Sequence, residues 1–263
     1  MLRVSRSGFY AWAARPVSQR ALADHALTEK TAQVYSQSRR TYGAPRAHDK
    51  LARAGVHCGR KRVARLMRRS GLVGVHAWRK GRPGDANAPD LVNRDFDPSG
   101  PDQVWAADIT QFRTAEGWLH LAAVLELWSR RALGWAMGTS ASAELVTDAL
   151  VMAATRRRPH RRAVHHSDRG AACTSLLFSR RVAELELDQS FGPTGDCYDN
   201  AAVGPFFATL KRELAWAHGT ERWLARSGLR TALLDCIEGF YNPARTQERL
   251  GYRSPIDFEE EAA

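Results

Sequence analysis

A proline- and glycine-rich stretch divides this chain of 263 residues into two parts with different hydrophobic periods. Residues 81–101, GRPGDANAPDLVNRDFDPSGP, hold four of the eleven prolines and three glycines. Proline removes a backbone donor and fixes φ, so such a segment reads as a linker, not an element. Before it, apolar residues recur at helical spacing. After it, β-branched and aromatic runs alternate with helical ones. The expected organisation is a helical region over 1–80, a linker over 81–101, an αβ core over 102–241 and a tail over 242–263.

Charge follows the same division. Residues 1–82 carry 19 Lys+Arg against three acids (Asp24, Glu29, Asp49), whereas the remainder carries 20 against 25. A cationic first third joined to a mildly acidic remainder points to a polyanion, nucleic acid before an anionic membrane surface. Three helices are expected in that third. One runs over 21–38, with Leu22, Leu27, Val34 and Tyr35 on its apolar side, and a second runs from Pro45 to about Ala54, anchored by Leu51. The third, GRKRVARLMRRS over 59–70, has Val63, Leu66 and Met67 at helical spacing. Its other face bears Arg60, Lys61, Arg62, Arg65, Arg68 and Arg69 with no acid among them. Two helices joined by the short turn GVHCG, the second one basic, match a helix-turn-helix with its recognition helix. The alternative is an amphipathic helix with a solvated cationic face.

The remainder reads as one mixed sheet with helices on its faces. Runs over 103–113, 118–127 and 131–139, separated by TAEG and SR, form an antiparallel meander. A helix over 142–158, a strand over 163–166, a helix over 174–186 and a strand over 187–191 follow. Helices over 205–217 and 221–241 complete the core, and DFEEEAA reads as a solvated acidic end. No apolar run approaches the length of about 18 that marks a membrane span. The N-terminus lacks a secretory h-region. Cys58, Cys173, Cys197 and Cys236 form no CxxC pair, so neither a disulfide framework nor a zinc knuckle is expected. A reduced, cytoplasmic protein is the default expectation.

Two carboxylates stand out. Asp108 ends the apolar part of the first strand in QVWAADITQF, and Asp168 follows the fourth strand in AVHHSDRG. A lone carboxylate is costly to bury, so an acid at a strand edge beside polar residues suggests function. Asp168 alone also suits an Asx-turn before Gly170. Together, on neighbouring strands, the two suit a hard divalent cation, Mg²⁺ or Mn²⁺. His165 and His166 face opposite ways along their strand and cannot easily share one ion. Trp105 and Trp135 read as core aromatics, Trp105 being near enough to Asp108 to line a DNA groove.

Taken in order, VWAADITQF, GWLHLAAVLELWSRRALGWAM, HHSDRGAACTS, GDCYDNA, FFATLKREL and FYNPARTQERLGYRSPIDFE resemble the second-frame (OrfB) transposases of insertion sequences, which have a retroviral-integrase-like core. VSRSGFYAW and RRTYGAPRAHDKLARAGVHCGRKRVARLMRRSGL resemble the helix-turn-helix segment of the same family. The resemblance implies a ribonuclease-H-like core in which an Asp–Asp–Glu triad holds two Mg²⁺ ions. One ion activates the attacking water or 3′-hydroxyl and the other stabilises the leaving oxygen. It implies phosphodiester hydrolysis and strand transfer on double-stranded DNA, at insertion-sequence ends and a target, by a homo-oligomer that synapses the ends. Asp108 and Asp168 match the first two acids.

The third acid of the pattern falls at position 204, two residues before Phe206 and seven before Lys211, and this chain has Gly204 there. Glycine has no ligand atom. Glu213 lies nine residues on, about 180° around a helix, while Lys211 stays on the face of position 204 and suits a DNA phosphate. Asp196 and Asp199 lie in the preceding loop, and nothing positions them. The expectation is a weakly metal-binding, catalytically impaired transposase. The alternative is a non-catalytic protein that occupies terminal inverted repeats. Gln247 replaces a histidine of the pattern, which alters one accessory contact.

Overall fold

The computed structural model describes residues 5–13, 17–75, 92, 97–157, 163–168, 170–191, 203–218, 223 and 225–262. Most of the expected linker and the polar loop containing Asp196 and Asp199 lie outside them. The chain falls into two compact units, Met1–His76 and Ala77–Ala263.

The first unit is helical: α1 (Arg6–Ala13), α2 (Gln19–Gln37), α3 (Ala44–Arg53) and α4 (Arg60–Arg69). Leu27, Ala47, Leu51, Val63, Leu66 and Met67 form its core. Leu22, expected on the apolar side of α2, is instead exposed. The α3–α4 turn follows from two glycines and a histidine. Gly55 takes φ 77° after α3, a conformation that costs a side chain energy but not glycine. There Val56 N–H donates to Leu51 C=O at 2.8 Å and Gly55 N–H to Ala52 C=O at 3.0 Å, a Schellman closure. His48 Nε2 lies 2.8 Å from Cys58 C=O across the same turn. The closure repeats after α4, where Gly71 has φ 65°.

The second unit is built on a five-stranded sheet: β1 (Val104–Thr114), β2 (Gly117–Glu126), β3 (Ala132–Gly138), β4 (Val164–Ser167) and β5 (Asp188–Phe191). The strand order is β3-β2-β1-β4-β5. The first three strands form the expected antiparallel meander, while β4 and β5 join parallel to β1. Helices α5 (Ala143–Arg157), α6 (Leu176–Glu184), α7 (Gly204–His218), α8 (Arg226–Cys236) and α9 (Pro255–Ala262) complete it. Strand alternation separates two cores. Trp105 and Ala107 face α5 and α6 with Leu145, Leu150 and Phe178. Ala106 and Phe112 face α7 and α8 with Phe206, Leu210 and Leu229. Glycine at position 134 lets α5 lie directly on β3: an added Cβ would stand 2.0 Å from Ala149 O.

Further expectations need correction. The last core helix begins at Arg226, not at 221, and Trp223 instead makes a parallel bridge to Thr114. α8 runs on into a π-helical turn over Ile237–Tyr241. Trp105 is fully buried with its indole N–H donating to Asp102 at 3.1 Å, so it lines no groove.

The tail expected over 242–263 packs on the core, and of its acidic end Glu260 and Glu261 are exposed as expected while Glu259 is not. Asn242 accepts from Ala132 N–H and donates to Ala132 C=O, both at 3.0 Å, as a strand neighbour would. From α9, Glu259 accepts from Ser129 Oγ at 2.6 Å and from Arg131 at 2.7 Å, and it also pairs with Arg157. Phe258 packs on Trp128 with ring centroids 4.8 Å apart. The sequence shows only the charge of EEE; the partners of Glu259 come from the β2–β3 turn and the end of α5. Among the described residues, no helix is long and apolar enough to cross a membrane.

Candidate active site and nucleic-acid interface

Asp108 and Asp168 are brought side by side by sheet register. β1 and β4 run parallel with Ala106 opposite His166 and Ala107 opposite Ser167, so each aspartate follows directly from a paired residue. Asp108 shares a face with Ala106 and Phe112, the face covered by α7. The two backbones receive the carboxylates in similar ways. Ile109 N–H donates to Asp108 Oδ1 at 2.7 Å and Gly170 N–H to Asp168 Oδ1 at 3.0 Å. The Asx-turn reading of Asp168 is thus satisfied. A Cβ at position 170 would stand 2.9 Å from Asp168 Oδ1, so glycine allows the close approach.

The electrostatics follow from this placement. Burial first, and then the charge of Asp168, push the Asp108 carboxyl up to about 6, against the pull of the Ile109 N–H and the nearby Lys211 ammonium. Cys173 is buried in the cluster of Trp105 and Phe178, and burial first, with the charges of both acids, pushes its thiol up to about 11, so it stays protonated at neutral pH. His165 points to the other side, its ring 5.2 Å from that of Phe178. Neither of its ring nitrogens hydrogen-bonds to another residue, and burial pulls its pKa down to about 4. His166 is buried with Nδ1 3.1 Å from Ser190 Oγ.

A folded-state pKa near 6, against an ordinary 3.8, makes stability depend on pH. Below pH 4 the carboxyl is protonated in both states. Between pH 4 and 6 the unfolded chain ionises first, so the fold loses up to about 3 kcal/mol. In metal-free buffer, Asp108→Asn is therefore expected to exceed the parent in stability by a margin that grows from pH 4 to pH 7. Urea unfolding at the two pH values checks this, and a margin that does not change with pH contradicts it.

α7 begins at Gly204, and no acid stands at that position. A Cβ built on Gly204 meets nothing within 4 Å. Lys211, two turns on, has its Nζ 5.4 Å from the Phe112 ring centroid and acts on Asp108. Phe112 went unremarked in the sequence; its spacing of four from Asp108 along one strand face is the signal that places it. Glu213 is turned away from the site and pairs with Arg245 at 2.7 Å, both side chains 8% exposed. Among the described residues no group of three His, Cys, Asp or Glu side chains stands ready to hold a metal ion.

On α4 the six expected bases do not behave alike. Arg60, Lys61, Arg68 and Arg69 are exposed. Arg65 is exposed as well, but it and the half-buried Arg62 grip opposite oxygens of Asp24 on α2, at 2.8 and 2.6 Å. The two guanidiniums hold that carboxyl below the usual range. Asp24 stands 38 positions before Arg62, far outside the i,i+4 range within which an acid on α4 would show itself in the sequence.

Comparison with known proteins agrees with this architecture. Residues 98–197 match the Integrase core domain and residues 22–81 the HTH-like domain. Transposase InsF for insertion sequence IS3A of Escherichia coli (strain K12) is 39% identical over 267 residues, covering 98% of this chain and 91% of that protein. The insertion element IS600 uncharacterized 31 kDa protein of Shigella sonnei is 36% identical over 262 residues, covering 98% and 95%. A chain of a simian T-cell lymphotropic virus intasome in complex with PP2A regulatory subunit B56 gamma shares the fold, with TM-score 0.51 and 15% identity over 87% of this chain and 74% of that one. A helix-turn-helix-like region followed by a ribonuclease-H-like core, with such identity along nearly its whole length, makes this chain a member of the insertion-sequence transposases to which InsF of IS3 belongs.

Proposed function

We propose that this chain binds the ends of an insertion sequence as double-stranded DNA and acts on them at Asp108 and Asp168, in a site impaired by Gly204. The observation that carries the reading is the register that sets the two aspartates side by side on one face of the sheet. The donor set fits a hard cation such as Mg²⁺ or Mn²⁺: two carboxylates, each with one oxygen occupied by a backbone N–H, repel one another across a half-buried site. When bound, the ion supplies Lewis-acid polarisation of a phosphodiester oxygen. Asp108 and Asp168 hold it. Lys211, on the helix face of position 204, meets a DNA phosphate beside them. Arg60, Lys61, Arg68 and Arg69 face the duplex, with Arg62 and Arg65 following once Asp24 yields to phosphate.

Two such chains acting together would synapse two DNA ends, a homo-oligomer in keeping with the family. The second reading is a non-catalytic DNA-binding protein that occupies the terminal inverted repeats. Gly204 favours it, because DNA recognition by α4 needs no metal. Both readings require sequence-specific binding. At about 0.15 M salt, an inverted-repeat duplex should bind about three orders of magnitude more tightly than a scrambled duplex of the same length. Fluorescence anisotropy measures the ratio. Equal affinities would leave only sequence-blind phosphate contact and would remove both readings.

A further inference from the structure

A second polar feature lies beside the first turn of α7, on different helix positions from Gly204 and Lys211. It is a pocket of about 250 Å³. Pro205, Thr209, Tyr241, Arg130, Arg245 and Arg249 are among the residues that line it. Three guanidiniums thus converge on one small cavity, one residue away from the position where the triad pattern expects its third acid. We infer that this pocket holds a phosphate group of the DNA strand that crosses the Asp108–Asp168 site.

Several observations support this. Arg245 is fixed: Glu213 pairs with it at 2.7 Å, and its guanidinium carbon lies 5.9 Å from the Tyr241 ring centroid. That pair is rigid and electrically balanced. Tyr241 O–H donates to Arg130 C=O at 3.1 Å, tying the β2–β3 turn to the π-helical turn. Arg130 adopts φ 61°, where an arginine costs energy that glycine or asparagine would largely avoid. A strained residue held at a cleft is the pattern expected where the side chain serves a function. The Arg249 charge is close enough to add to burial in pulling the Arg130 guanidinium below its ordinary pKa. The Asp97 and Glu126 carboxylates offset part of that repulsion, and a phosphate could take the place of Asp97. Arg249 pairs with Asp97, whose side chain is 80% exposed, so the carboxylate can leave for water when a phosphate arrives.

Guanidinium groups suit phosphate because their forked N–H donors match its oxygens in two places at once. The first turn of a helix adds favourable potential for an anion. The DNA backbone is the source of phosphate that this placement favours, since Pro205 and Phe206, at the start of α7, line the pocket. The inference rests on the proposed DNA-processing function.

The test is the salt dependence of binding of a labelled inverted-repeat duplex by the full chain. Each lost phosphate contact flattens the slope of log K against log salt by about 0.9. Arg249→Gln and Arg130→Asn are each expected to flatten it by about that amount and to weaken binding roughly five-fold at 0.15 M salt. Arg249→Lys keeps the charge and should keep the slope. Asparagine suits φ 61°, so Arg130→Asn should fold at least as well as the parent, and thermal unfolding of both variants checks that they are intact.

If both variants are folded and keep the parent slope, the inference is overturned while the DNA reading stands. If the parent binds no DNA, both fall. Inorganic pyrophosphate separates the sources of phosphate. Stabilisation of the parent by pyrophosphate, lost in Arg249→Gln with no change in DNA slope, would assign the pocket to a free anion and overturn the DNA assignment.

Discussion

Gly204→Glu is expected to raise Mg²⁺-dependent strand cleavage at an inverted-repeat end by at least about 100-fold. A missing carboxylate in a metal site withholds several kcal/mol of transition-state stabilisation, and each 1.4 kcal/mol or so is a factor of ten in rate. The protein has room for the change, because a Cβ at position 204 meets nothing within 4 Å. Lys211, two turns along on the same helix face, already acts on Asp108. Pro205 sets a limit, since proline disfavours a helical backbone in a preceding residue that carries a Cβ. The double variant Gly204→Glu/Pro205→Ala should therefore exceed the single one. Cleavage measured side by side should rank the double variant first and the parent last. Equal rates in all three would show that position 204 is not the third triad position.

The second large effect concerns the ion pair beneath α7. Arg245 and Glu213 are both 8% exposed, and they join the helix of the site to the segment that follows the π-helical turn. Glu213→Ala leaves a buried guanidinium without its counter-charge, and breaking such a pair typically costs about 3–5 kcal/mol. Replacing both, as Glu213→Leu/Arg245→Met, should recover most of that loss, because a well-packed apolar pair avoids the desolvation of two charges. Denaturant unfolding of the three proteins provides the comparison. A loss below about 1 kcal/mol for Glu213→Ala would mean that water or another acid replaces the partner.

The parts of the fold that depend on local pattern could be read from the sequence. The meander, α4 and the start of α7 at Gly204 follow from apolar periodicity and from glycine and proline signals. Long-range pairing was harder to read. Asp24 reaches α4 from 38 positions away, and nothing within α4 announces it. The acids of α9 look like a solvated end until Ser129, Arg131 and Arg157 are set against Glu259. Trp223 lies in a stretch of helical composition, yet it pairs with Thr114.

The placement of the two aspartates was legible for a different reason. Asp108 ends the apolar part of its strand and Asp168 follows a short strand, and parallel pairing of those strands carries one beside the other. The pocket under Arg130 was not legible, because a left-handed arginine in the turn SR leaves no trace in composition.

Asp108 and Asp168 are expected to bind one divalent cation between them, whatever rate then follows. Mn²⁺ titration followed by electron paramagnetic resonance measures this on the intact chain without DNA or turnover. One bound Mn²⁺ per chain is predicted, displaced by excess Mg²⁺, lost in both Asp108→Asn and Asp168→Asn, and tightened in Gly204→Glu. Mn²⁺ binding that is unchanged by removing either aspartate would contradict the account.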